Sequence, residues 1–329
     1  MKKIVNKVEN ILYEMLDGIS RAYPDKLEKV QNYNIIKRKK IKNKVNLVSG
    51  GGSGHEPAHA GYVGYGMLDA AVAGEVFTSP TPDQILEAIR NVKSEKGVIL
   101  IIKNYTGDIM NFEMAEEMAE MEGIRVERVI VNDDIAVEES TYTIGRRGVA
   151  GTVFIHKITG GAAEDGLSIE EVKRISEKAV KNTKTLGMSM GPCIVPASGK
   201  ASFYLEEDEI EMGLGIHGEP GTHKEKLKTA DEHVEYMLKK IFDEHKLSEN
   251  DRVAVMINGL GATPLMELYI VNRKVSEMLQ ERKIEISETL VGNYMTSLEM
   301  PGFSITILKL DKELEKYLKF KAETPAYKN

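Results

Sequence analysis

The sequence predicts an α/β protein with two α/β domains, the first on a mainly parallel sheet flanked by helices and the second on a mixed sheet that includes a hairpin. Three observations carry this expectation. Short apolar runs at Val45–Ser49, Val98–Lys103 and Val126–Val131 alternate with helix-period segments at Pro82–Val92 and Phe112–Met121, the order of βαβ units. The three runs lead into polar loops, GGGSGHEP (Gly50–Pro57), KNYTGD (Lys103–Asp108) and VNDD (Val131–Asp134), and parallel strands gather such loops on one edge. Beyond a Gly- and Pro-rich stretch at Leu186–Lys200, two extended runs, Ala201–Leu205 and Ile210–Ile216, flank the acidic turn Glu206–Glu209 and read as a hairpin.

Taken in order, the chain opens with a helix at Val8–Ile19, where charged and apolar residues alternate as in a folded helix rather than a signal peptide. A helix at Ile169–Val180 closes the first domain, residues 1–185. The second domain, 186–329, holds the hairpin, a long helix at Lys224–Glu244, a strand at Val253–Asn258, a helix at Pro264–Arg282, and strands at Ile284–Val291 and Phe303–Leu308. No internal repeat interrupts this plan.

Composition narrows the function. With 42% hydrophobic and 29% charged residues over 329 positions, the chain is an ordinary globular protein. A net charge of −7 argues against a nucleic-acid partner, and the basic run Lys37–Lys44 reads as a solvated edge. No apolar run reaches the roughly 18 residues that suggest a membrane span. The single cysteine, Cys193, excludes an internal disulfide framework and a cysteine metal cluster, which fits a reducing, cytoplasmic compartment.

Glycine is costly in ordered structure, so the run Gly50–Gly54 implies backbone held close to something. It lacks the Lys-Ser/Thr ending of a P-loop and the spacing of a dinucleotide fingerprint. A second glycine frame, GLGIHGEPG (Gly213–Gly221), surrounds His217 as the first surrounds His55. Zinc held by His55, His217 and Asp108 is one reading, although the only compact spacing, His55 with His59, has Pro57 between, and no metal is expected. Ser189 formally matches a G-x-S-x-G elbow, but it follows a predicted helix instead of a strand. The favoured chemistry is an imidazole acting as nucleophile or base on a small polar substrate, with Asp108 orienting it or accepting a proton.

The segments GGGSGHEPAHAGY (Gly50–Tyr62), GEVFTSPTPDQIL (Gly74–Leu86), IIKNYTGDIMNFEMA (Ile101–Ala115), VNDDIAVEESTYTIGRRGVAGTVFIHKI (Val131–Ile158), GLGIHGEPG and NGLGATPLMELY (Asn258–Tyr269) together resemble the substrate-binding subunit of the dihydroxyacetone kinases. The resemblance runs to the closing Thr324–Ala326. It implies that His217 adds through Nε2 to the C2 carbonyl of dihydroxyacetone, giving a hemiaminal. Covalent capture excludes glycerol, which offers similar hydroxyls but no carbonyl. It further implies that Gly52, Ser53, Gly54, His55, Lys103 and Asp108 line the substrate, with Ser79 as an additional contact. His55 is expected to accept the hydroxyl proton with Asp108 assisting; the reverse division stays open, because an imidazole and a carboxylate sharing a proton cannot be apportioned from sequence.

Phosphoryl transfer needs nucleotide and Mg²⁺, and the sequence holds neither a Walker A motif nor a kinase-like lysine and DFG set. The resemblance therefore implies no cofactor on this chain, and ATP or ADP with Mg²⁺ on a helical partner subunit recharged by a phosphohistidine protein of the phosphotransferase system. It also implies a homodimer. The alternative is a noncatalytic dihydroxyacetone-binding paralogue that co-activates a transcription regulator. Ile144, where the family pattern expects a small residue such as Ala, is a departure from it.

Overall fold

A computed structural model describes residues 2–137 and 145–329; Ile144 lies outside the described residues. The chain forms two six-stranded sheets, each mixed, with helices between and outside them. In the first sheet, β1 (Leu27–Lys29) and β2 (Ile35–Arg38) form an antiparallel edge beside β4 (Ala70–Val76). Beyond it, β3 (Asn46–Ser53), β5 (Val98–Lys103) and β6 (Val126–Val131) follow in parallel. The three polar loops foreseen from sequence thus leave neighbouring strands on one edge.

Helices α1 (Ile11–Ala22), α2 (Pro82–Val92) and α3 (Thr106–Met121) belong to this part of the chain, and α4 (Thr152–Glu164) and α5 (Ile169–Lys181) follow it. Residues of β5 alternate between two cores: Val98, Leu100 and Ile102 face α2 and α3, while Ile99 and Ile101 face α4 and α5. Burial on both faces explains why β5 reads as an unbroken apolar run.

The second sheet runs β11 (Glu285–Gly292), β10 (Arg252–Gly259), β12 (Gly302–Leu310), β7 (Thr183–Ser189), β8 (Glu209–Met212) and β9 (His223–Lys226). Its outer face packs on α6 (Ala230–His245) and α7 (Leu265–Glu281). Its inner face adds Ala254, Met256 and Leu308 to the core that holds α4, α5 and α8 (Lys312–Leu318), so one helical layer is shared by both sheets. The tail then returns to the first half, where the Ala326 amide donates to the Gly61 carbonyl at 2.9 Å.

Several expectations are corrected. Gly50–Ser53 are not loop but the last residues of β3, paired with β4. Strand β7 runs into the Gly- and Pro-rich stretch that starts at Leu186, so the expected division after residue 185 falls within a strand. Ser189 therefore ends a strand, but its hydroxyl is buried and donates to the Gly191 carbonyl at 2.7 Å. The hairpin pairs β8 with β9, not with Ala201–Leu205; Glu209 faces Lys226 and Glu211 faces Lys224 across the strands. Consequently α6 begins at Ala230, where Thr229 and Glu232 form a capping box, and not at Lys224.

Candidate active site

Hairpin β8–β9 is joined by Gly213–Thr222, a connection long enough to carry function, and His217 sits on it. The left-handed backbone of Gly213 (φ +75°) and Gly218 (φ +83°) turns the loop at each side of the histidine. From the other sheet, β3 delivers His55 two residues past its end. The segment between β11 and β12 clamps that residue: the Thr296 amide donates to the His55 carbonyl at 3.2 Å, and the Leu298 amide to the Gly54 carbonyl at 2.7 Å. The two histidines meet edge to face, their ring centroids 4.7 Å apart.

The hydrogen bonds fix which nitrogen of each ring is free. Glu219 accepts from the His217 backbone amide at 2.9 Å through Oε2 and contacts His217 Nδ1 at 2.6 Å through Oε1. Burial pushes the Glu219 carboxyl up, but His217 and Arg147 outweigh it and hold it down to about 2. A carboxylate can only accept, so His217 presents its Nδ1–H to Glu219, and Nε2 is the ring nitrogen left facing away from it. His55 Nδ1 likewise faces the Thr296 carbonyl at 2.8 Å, so it is the donor. His55 Nε2 is buried without a partner among the described residues. Burial, the His217 ring and the Lys103 ammonium together hold His55 well below its ordinary pKa, so it is neutral at pH 7.

Two aromatic rings wall this pair. Phe77 stacks on His55 at 5.3 Å and meets His217 edge-on at 5.4 Å, and Tyr105 meets His217 edge-on at 4.6 Å. The Tyr105 hydroxyl is buried and has no partner among the described residues. Phe77 holds a left-handed backbone (φ +59°), uncommon for a bulky residue, in the loop that leaves β4. Gly54 has no room for a side chain because a Cβ there would lie 2.8 Å from the Phe77 ring.

At the end of β5, Lys103 is fully buried, with Nζ 3.3 Å from Asp108 Oδ2. Asp108 sits in the first turn of α3 and accepts from the Ser79 hydroxyl at 2.5 Å. The Lys103 ammonium lies 5.1 Å from the Tyr105 ring centroid, which links this charged pair to the His217 ring. Gly51 gives Lys103 its space, since a Cβ there would meet Nζ at 2.8 Å.

The structure thus brings His55, Ser79, Lys103, Asp108 and His217 into one junction between the two sheet edges. The remaining expected residues serve its wall. Gly52 packs against the backbone of Phe77 and Thr78, Ser53 turns its hydroxyl to the Gly74 carbonyl at 2.7 Å, and the Gly54 amide donates to the Glu56 carboxylate at 3.1 Å. Sequence reasoning missed Glu219, Phe77, Tyr105, Thr296 and Arg147. Glu219, Tyr105 and Phe77 were findable, each lying two residues from an expected site residue (His217, Lys103 and Ser79), whereas Thr296 and Arg147 reach the site from segments that carry no such residue. Arg147 bonds Asp134 at 2.7 Å and the Gly213 carbonyl at 2.8 Å, tying the base of the histidine loop to the end of β6.

Among the described residues, no group of three His, Cys, Asp or Glu side chains is arranged to hold a metal ion. None of the described helices is long and apolar enough to cross a membrane. Chemically, the junction offers a nucleophilic imidazole nitrogen, a second imidazole able to accept a proton, and a buried carboxylate paired with an ammonium.

Known proteins share this arrangement of chain. The sequence is 54% identical over 314 residues to the "PTS-dependent dihydroxyacetone kinase 1, dihydroxyacetone-binding subunit DhaK" of Listeria innocua, covering 95% of each chain. The fold matches the dihydroxyacetone kinase of C. freundii with a TM-score of 0.91 and 38% identity, over 99% of this chain and 60% of that one. It also matches the dihydroxyacetone kinase operon co-activator Dha-DhaQ with a TM-score of 0.90 and 39% identity, over 98% of both chains. The Dak1 domain model matches residues 17–326, and the chain belongs to the Dak1 family.

Proposed function

We propose that this chain is the substrate-binding subunit of a dihydroxyacetone kinase, holding dihydroxyacetone on His217 as a hemiaminal for phosphorylation by a nucleotide-bearing partner. The observation that carries this reading is the contact of Glu219 Oε1 with His217 Nδ1 at 2.6 Å, which assigns the ring proton to Nδ1 and, in the neutral imidazole, puts the lone pair on Nε2. That lone pair adds to C2 while the carbonyl π pair moves to oxygen. The resulting imidazolium is paired with Glu219 until its Nδ1 proton is given up and the alkoxide takes one, so no atom is lost and no oxidant is needed. Glycerol, lacking a carbonyl, forms no such bond.

His55 Nε2 then accepts the proton of the hydroxyl being phosphorylated. Asp108 assists while Lys103 balances its charge. The Listeria relative's name as a phosphotransferase-system-dependent binding subunit supports a donor held elsewhere: ATP with Mg²⁺ on a helical partner, recharged from ADP by a phosphohistidine protein. A homodimer of this chain belongs to the same reading.

The full-length match to Dha-DhaQ favours a second reading, a dihydroxyacetone-binding co-activator of a transcription regulator. Reconstitution separates the two. Mixed with the helical nucleotide subunit, the phosphohistidine donor and dihydroxyacetone, the chain is expected to yield triose phosphate, and His55→Ala to keep bound substrate while losing turnover. Bound substrate without product in the wild-type mixture would sink the kinase reading and support the co-activator.

A further inference from the structure

The segment Asn258–Gly261 (NGLG), where β10 ends, takes no part in the chemistry described above, yet its one polar side chain is fully buried. Asn258 lies between Gly292 of β11 and Ser304 of β12. Its Oδ1 accepts from the Tyr294 and Met295 amides, each at 2.9 Å. Its Nδ2 donates to the Met295 carbonyl at 2.8 Å and to the Ser304 hydroxyl at 3.2 Å. A carboxamide has two acceptor sites and two N–H groups, so all of its hydrogen-bonding capacity is used. Three of the four bonds go to the backbone of one short stretch, the two residues immediately before Thr296.

Thr296 is the residue that orients His55. Its carbonyl faces His55 Nδ1 at 2.8 Å, and the N–H of the same peptide unit, that of Ser297, donates to the Leu260 carbonyl at 2.9 Å. In a planar trans peptide the N–H and C=O point opposite ways, so anchoring one on Leu260 aims the other at His55. The glycines of the segment permit this approach. A Cβ at Gly259 would lie 2.4 Å from Asn293 Oδ1, and one at Gly261 (φ +125°) would lie 1.9 Å from the Leu298 carbonyl oxygen. Which imidazole nitrogen keeps the lone pair is set by the hydrogen bond the other one makes. With the carbonyl in place Nδ1 donates and Nε2 is bare; with it turned away the proton is free to move to Nε2, and that form accepts nothing from a substrate. We propose that Asn258 is a positioning residue for the proton transfer: by pinning Tyr294 and Met295 it holds the Thr296 carbonyl on His55 Nδ1 and keeps Nε2 open to the substrate hydroxyl. This rests on the reading of His55 as proton acceptor given above.

The test uses the full chain with the helical nucleotide subunit, the phosphohistidine donor and dihydroxyacetone. Three quantities are read: triose phosphate formation, adduct occupancy on His217 by native mass spectrometry, and the His55 tautomer by ¹⁵N NMR. A misplacement of about 1 Å can cost a reaction about a hundredfold, so Asn258→Ala is expected to lower turnover about tenfold or more. Adduct occupancy should stay within about twofold of wild type, and His55 should populate its Nε2–H form. Asn258→Ser, which keeps a hydroxyl in the site, should show the same split at about threefold or more, and it decides the matter if the alanine variant does not unfold cooperatively. Ser304→Ala removes the one Asn258 bond that points away from the Thr296 stretch and is expected to keep turnover within about twofold. Unchanged turnover in a folded Asn258 variant overturns the proposal, as does a His55 ring that stays wholly Nδ1–H there. Equal losses of adduct and turnover also overturn it, and so does a loss in Ser304→Ala as large as that in Asn258→Ala, which would assign the effect to the core. Full turnover in His55→Ala instead fails the parent reading, whatever tautomer the Asn258 variants show.

Discussion

Replacing Glu219 by Gln keeps the size of the side chain and removes the charge that orients His217. In the wild type the carboxylate contacts Nδ1 at 2.6 Å and accepts the His217 amide at 2.9 Å. Hydrogen bonds to a charged group contribute about 1.5–3 kcal/mol. The amide of Gln can also offer an N–H to Nδ1, which would move the proton to Nε2 and silence the nucleophile. The adduct equilibrium with dihydroxyacetone should therefore fall by about ten- to 150-fold, at about 1.4 kcal/mol per factor of ten. Native mass spectrometry across a substrate titration reads the occupancy, and ¹⁵N NMR of His217 reads the tautomer. The thermal midpoint should barely move, because Gln keeps the volume of Glu219 and leaves the loop's core residues, Leu214 and Ile216, in place. Occupancy within twofold of wild type, with the proton still on Nδ1, would refute the reasoning.

Three further outcomes follow from the same geometry. Gly215→Ala would place a Cβ 2.1 Å from Glu219 Oε2 and 2.7 Å from an Arg147 nitrogen, so Glu219 must move and adduct occupancy should drop at least tenfold; an unchanged titration would show that the loop absorbs the methyl. Asp108→Asn leaves the fully buried Lys103 ammonium without its counter-charge and is expected to cost about 3 kcal/mol in urea unfolding while lowering triose phosphate formation about a hundredfold or more. Full turnover in that variant would remove Asp108 from the proton transfer. Acid should also destabilise the fold: burial holds His55 and His59 well below the ordinary value, His156 down to about 3 and His245 down to about 4. These groups take up protons only on unfolding, so the stability they allow is complete above about pH 6.5 and is lost as pH falls below it, each contributing up to about 1.4 kcal/mol per pH unit. Asp134, pushed up to about 6 by burial against the pull of Arg147, opposes this with at most one proton. Urea midpoints that stay flat between pH 6.5 and 5 would contradict the sum.

Local pattern made much of the first domain legible. Pro82 begins α2 and the buried faces of β5 and β6 are written in apolar runs, so these elements matched residue for residue. Parallel neighbours then gathered His55, Lys103 and Asp108 on one edge, as expected. The glycines misled because their role is packing between strands: a Cβ at Gly50 would lie 2.4 Å from the Val72 carbonyl oxygen, and one at Gly74 would lie 2.0 Å from that of Thr78. They let β3 and β4 and the Thr78 loop close up, which no spacing rule reveals. Strand β9 was missed because an exposed edge strand carries charge, and His-Lys-Glu-Lys reads as the start of a helix. Helix α4 showed no amphipathic period because it is buried on every side between the sheets, Lys157 included. The clamp on His55 comes from Thr296, more than two hundred residues away, through a carbonyl that any residue type would supply.

The most direct measurement concerns His217 itself. Wild-type chain and His217→Ala, each equilibrated with dihydroxyacetone and desalted under native conditions, are weighed by mass spectrometry. The wild type should carry one triose per chain, localised to the Gly213–Gly221 peptide, and the variant should carry none. A triose that persists on His217→Ala, or a wild type that binds substrate without gaining its mass, would contradict covalent capture at this histidine.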